Sequence, residues 1–91
     1  MLQLQLTDQA KLELQNRLSS SSKPYIRLQM RHSCFMKLKL TIEDAVQIND
    51  VVVALDGFDF IVDKTQIHYF QNGKLDFIAD HTGFKQFEIT A

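Results

Sequence analysis

Two strictly alternating runs, close together in the chain, constrain this sequence most. Across Tyr25–Met30, Ile26, Leu28 and Met30 alternate with Arg27, Gln29 and Arg31. Across Met36–Ile42, Met36, Leu38, Leu40 and Ile42 alternate with Lys37, Lys39 and Thr41. A period of two puts apolar side chains on one face and polar ones on the other, the pattern of a half-buried strand. The link between them, Arg31-His32-Ser33-Cys34-Phe35, carries the only thiol of the chain. A short connection on rigid strands is a common place to build a site.

The rest of the chain reads in the same terms. Leu2, Leu4 and Leu6 alternate with Gln3 and Gln5, a first strand. Thr7 is placed to cap a helix, with Asp8 favoured at the positive helix end. Ala10, Leu14 and Leu18 then fall on one helical face. Ser19–Ser22 and Pro24 predict the helix end, since serines compete for backbone hydrogen bonds and proline disfavours helix in the residue before it. Glu43–Asp50 reads as a polar loop, with Glu43 and Asp44 solvated. Val51–Leu55 and Phe58–Val62 flank Asp56-Gly57, a tight hairpin of the type I′ kind, which needs positive φ at both central residues. Asp63–Phe70 suits either a short helix capped by Asp63 or a strand. Asn72-Gly73 turns the chain into a strand at Lys74–Ala79. His81-Thr82-Gly83 breaks it, and Phe84, Phe87 and Ile89 mark a last strand.

Length and charge narrow the function classes. Ninety-one residues make one domain, spanning 1–91. A net charge of -1 argues against nucleic acid, which calls for a basic face or stripe. Arg27, Arg31, Lys37 and Lys39 do crowd one stretch, and their alternation reads as a solvated strand face. A single cysteine cannot form an internal disulfide. The start, Leu alternating with Gln, does not look like a signal peptide, and no run approaches the roughly 18 apolar residues of a membrane span. The expected location is cytoplasmic, with no membrane association.

The candidate reactive atom is the sulfur of Cys34. Only the thiolate binds metal or attacks an electrophile, and Arg31, His32 and Lys37 are the neighbouring cations. His32 and Cys34 are two apart, which in extended chain places both on one face. They read as a ligand pair, or Cys34 reads as a small buried hydrophobe. His81 stands in a loop beside Gly83, and His68 stands among Ile67, Tyr69 and Phe70. A thiol enzyme needs a base in reach of sulfur and a group to orient it, and the spacing supplies neither. No glycine loop for phosphate is present. The chain is expected not to be an enzyme.

In order, these segments resemble the A-type, HesB/IscA-like family of iron–sulfur cluster biogenesis proteins. Leu6-Thr7-Asp8-Gln9-Ala10 is similar to the start of the family's first helix. Tyr25-Ile26-Arg27-Leu28 resembles the strand leading to its first cysteine, and Cys34 falls at that cysteine's place. Leu40-Thr41-Ile42-Glu43-Asp44 resembles the strand end that follows. Asp56-Gly57-Phe58-Asp59-Phe60-Ile61-Val62-Asp63 is similar to the family's D-G-x-x-x-x-V-D run. Gly73-Lys74-Leu75-Asp76-Phe77 and Thr82-Gly83-Phe84 resemble its later strand and turn.

The resemblance implies a mainly β fold, a β-rich α+β sandwich or barrel of mixed sheets. It carries an N-terminal amphipathic helix and one short helix at Asp63–Phe70. It implies iron or an iron–sulfur cluster as the bound group, assembly or recipient proteins as partners, and a possible homodimer. The chain departs from the family at the site. The family sets its first cysteine in a glycine-rich loop and adds a Cys-Gly-Cys tail; here Cys34 has Arg31-His32-Ser33 and Phe35-Met36 around it and is the one cysteine. Cys34, His32 and His81 are the expected metal ligands. The alternative is a member that binds no metal and acts as a protein-interaction or regulatory module.

Overall fold

The computed structural model describes residues 3–32 and 36–90, without the side chain of His32. Its first strand, β1 (Leu4–Leu6), leads into α1 (Asp8–Ser19). The Thr7 hydroxyl accepts from the Ala10 N–H at 3.2 Å, the expected cap, and donates to Asp76 Oδ1 at 2.7 Å. That second bond ties the helix start to β6 (Gly73–Ala79), against which α1 packs. Ala10 and Leu14 are fully buried, and the helix stops at the serines as the sequence predicts.

The two alternating runs form the antiparallel hairpin of β2 (Tyr25–His32) and β3 (Met36–Glu43), in register from Tyr25↔Glu43 to His32↔Met36. β4 (Asp50–Leu55) and β5 (Phe58–Asp63) form the second hairpin, closed by Asp56 and Gly57 at φ 53° and 86°. Positive φ at both is the type I′ signature. β5 pairs in parallel with β2, giving a four-stranded sheet of order β3-β2-β5-β4. The other sheet runs β1-β6-β7, with β7 at Lys85–Thr90, and is parallel at β1–β6 and antiparallel at β6–β7. The expected β-rich sandwich of mixed sheets is present.

The core lies between the sheets. Ile26 and Leu28 from β2, Phe58, Phe60 and Val62 from β5, Leu75 and Phe87 from the smaller sheet, and Phe70 meet there with Leu14. Each strand contributes every second residue, which is why the sequence alternates. Ile61 is the exception. It is fully buried yet stands outside this cluster, on the opposite sheet face, where the register sets it between Arg27 and Val52.

The Asp63–Phe70 segment is neither strand nor capped helix. Only Ile67–Tyr69 makes a short 3-10 turn, with no side-chain cap. Asp63 instead accepts from the Thr65 N–H and hydroxyl, which closes a local turn before any helix begins. The short helix implied by the resemblance is thus reduced to one turn.

Candidate metal site at the hairpin end

The β2–β3 hairpin has two ends, and its polar groups are used differently at each. Near Tyr25↔Glu43, Arg27 is the centre of an ion-pair clamp. Its Nε donates to Glu43 Oε1 at 2.7 Å, and its two terminal nitrogens donate to the two Asp50 oxygens, each at 2.7 Å. The Arg27 and Asp50 side chains are only 12% and 1% exposed. Thr41 donates to the other Glu43 oxygen, and the Gln47 N–H donates to Asp50. The bidentate fork is the strong geometry for guanidinium and carboxylate. It holds the Asp50 carboxyl below the usual carboxylate range, chiefly through the Arg27 hydrogen bonds.

This corrects two expectations. Arg27 is not part of a solvated basic face, although Arg31, Lys37 and Lys39 are exposed. Glu43 is not a solvated loop acid: it ends β3 and partners Arg27. The physical reason is the register. Thr41, Arg27, Ile61 and Val52 form one row across the sheet, so the arginine stem lies beside Ile61 and its head meets acids from the two edge strands.

At the other end the ladder stops at His32↔Met36. Cys34 lies between these two positions in sequence and outside the described residues, as does the His32 side chain. The neighbourhood is built from both sheets. Met30 is held by a side chain: Gln66 accepts from the Met30 N–H at 2.8 Å and donates to its carbonyl at 3.1 Å. β2 and β5 pair only as far as Arg27↔Ile61, and this amide serves Met30 beyond that point.

His81 enters from the 80–84 loop before β7. Asp80 Oδ1 accepts from the Thr82 N–H at 2.8 Å, the Thr82 hydroxyl at 2.6 Å and the Phe84 N–H at 3.2 Å. The Thr82 hydroxyl leads the bonds that hold the Asp80 carboxyl below its ordinary value. Gly83 completes the loop at φ 92° and donates its N–H to the Asp80 carbonyl. His81 is exposed on this hydrogen-bonded loop. It lines a cavity of about 480 Å³ together with Met30, Met36 and Leu38 of the hairpin and Glu88 of β7. His81 and Met36, two residues after Cys34, therefore line one cavity. His68 does not line it: it is exposed on the 3-10 turn, its ring 4.0 Å from that of Tyr69. Among the described residues, no three His, Cys, Asp or Glu side chains converge as a ready-made ligand set.

Sequence reasoning missed two features here. The clamp left a faint signal, an arginine inside an alternating run with acids at the ends of later strands. The two methionines were legible only as members of the apolar face, because periodicity does not separate a thioether from an isobutyl group.

A family model described as iron-sulphur cluster biosynthesis matches residues 2–88. No curated protein sequence matches the chain significantly. Among solved structures, SufA of Escherichia coli, involved in the biosynthesis of iron-sulfur clusters, superposes with a TM-score of 0.76 at 16% identity, over 96% of this chain and 83% of that one. A protein from Aquifex aeolicus solved by NMR gives 0.77 at 21% identity, over 100% and 93%. IscA with a 2Fe-2S cluster gives 0.76 at 19% identity, over 97% and 84%. These likenesses establish the fold.

Proposed function

Because the chain belongs to the iron-sulphur cluster biosynthesis family, we propose that it carries iron or a labile iron–sulfur cluster on Cys34, with His81 and His32 as the further donors. The observation behind this reading is the position of His81. It faces the same cavity as Met36, the start of the strand that follows Cys34. A thiolate and an imidazole are a donor pair that suits iron, since clusters are bound through cysteine with histidine as a substitute.

The donor count sets the stoichiometry. Two-iron and four-iron clusters take four protein ligands. One chain has one cysteine, so a twofold dimer supplies two thiolates and two or more imidazoles. The cluster is cargo, received from assembly proteins and passed to recipients, and the chain itself catalyses no covalent turnover. Arg31 and Lys37 are both exposed beside the hairpin end.

Anaerobic reconstitution with ferrous iron and sulfide tests this, read by visible absorption, bound iron and sedimentation. Wild type should take up a stoichiometric cluster as a dimer, Cys34→Ser should lose it, and His81→Ala should weaken it. Wild type that binds neither iron nor cluster would overturn the reading and leave a metal-free member acting through protein contacts.

A further inference from the structure

We propose that Met30, Met36 and His81 form a second kind of metal site in the same cavity, one for a soft monovalent cation, copper(I). The site shares His81 with the iron reading and does not depend on it or on Cys34.

The backbone register places the two thioethers. Met30 pairs with Leu38 and Met36 pairs with His32. Cross-strand partners share a sheet face, and so do positions two apart in one strand, so Met30, Leu38 and Met36 stand on one face. Met30 and Met36 are diagonal neighbours, about 7–8 Å apart at the backbone, within reach of long side chains on one ion. Both line the cavity that His81 also lines.

Met30 packs at the edge of the core, and Met36 stands out from it. Met36 is 43% exposed, so filling a core gap does not explain a methionine there. Gln66 bonds both backbone groups of Met30, and Asp80 fixes the loop that presents His81, so both walls are held before any ion arrives. Asp80 and Glu88 also line the cavity, against the single ammonium of Lys37, which suits an incoming cation.

The donor type selects the metal. A thioether is neutral and soft. It binds Cu(I) well, whereas magnesium, calcium and manganese prefer oxygen donors. Two thioethers and one imidazole give a three-coordinate set with no charge of its own. Binding changes neither the metal's oxidation state nor any covalent bond.

The test is an anaerobic titration of the Cys34→Ser protein with Cu(I), in competition with bicinchoninate. Removing the thiol ensures that the response comes from the proposed donors. One Cu(I) per chain is expected. Met30→Leu, Met36→Leu and His81→Ala, each made in that background, should weaken it at least tenfold. Leucine keeps the volume and the fold, which circular dichroism verifies. Loss of Cu(I) binding on removing Cys34 alone would overturn the proposal. So would affinity that ignores both methionine substitutions. Iron uptake by wild type is scored separately, so a protein that takes iron and fails this titration refutes the copper site only.

Discussion

The two ends of the β2–β3 hairpin teach opposite lessons from the same ladder. At the Tyr25↔Glu43 end, Arg27 spends its guanidinium on Glu43 and Asp50, half-buried on the sheet face. At the His32↔Met36 end, two thioethers and an imidazole face a cavity of about 480 Å³. Polar groups answered by protein partners hold strands together. Donors facing open space are available to a ligand. The first end should therefore respond to mutation through stability, and the second through binding.

The largest effect is expected at Asp50. Asp50→Ala leaves the Arg27 guanidinium half-buried and short of its main partner. Removing the partner of a half-buried charge in this way costs about 1.5–3 kcal/mol, a large share of the roughly 5–15 kcal/mol that holds a domain folded. The thermal midpoint should drop by about 6 °C or more, measured by scanning calorimetry. The double variant Arg27→Met, Asp50→Leu should recover much of this loss, since an apolar pair removes the stranded charge. A double variant as unstable as Asp50→Ala would show that the clamp contributes more than charge neutralisation.

Acid should find the same end next. The Asp50 carboxyl is held below its usual range by Arg27, so its folded value lies below the unfolded one, near about 3.9. A depressed carboxyl stabilises the fold fully above the unfolded value, and that contribution fades as pH falls through the folded one. Stability measured by urea unfolding should be flat near neutrality and decline below about pH 4. Asp50→Asn should start lower and decline less steeply. A variant with the wild-type slope would assign acid sensitivity to other carboxylates.

How legible this was in the sequence follows from the same contrast. The hairpins, the Thr7 cap and the Asp56-Gly57 turn were readable, because period, capping chemistry and positive φ act between residues close in the chain. The clamp was not, since Arg27 and Asp50 are brought together by the parallel pairing of β2 with β5, which no local pattern specifies. Asp63 misled for a related reason: its side chain answers to Thr65 two residues on, so a turn forms where a cap was expected. At the site, His81 was singled out from its loop beside Gly83. That it lines one cavity with Met36 depends on how the two sheets meet. Cys34 and the His32 side chain lie outside the described residues.

Thr41→Val gives a smaller, sharper reading of the clamp. Thr41 bonds the Glu43 oxygen that Arg27 leaves unused, and valine keeps the β-branched shape that suits a strand. The expected cost is about 0.5–1.5 kcal/mol, the net worth of one ordinary hydrogen bond. A double-mutant cycle with Asp50→Ala should show coupling, because both act through Glu43 and Arg27. Strict additivity would split the clamp into two independent pairs.

The smallest stability effect is expected at the cavity. His81 is exposed, and its loop is closed by Asp80, Thr82, Gly83 and Phe84 without the imidazole. His81→Ala should therefore stay within about 0.5 kcal/mol of wild type in chemical unfolding without metal, as surface substitutions away from packed features do. With metal present the two should separate, because a ligand bound only by the folded state raises stability in proportion to its affinity. Wild type should gain on adding the ion and His81→Ala should gain less. A His81→Ala protein that is already destabilised without metal would make this end structural like the other, and the contrast between the two ends of the hairpin would not survive.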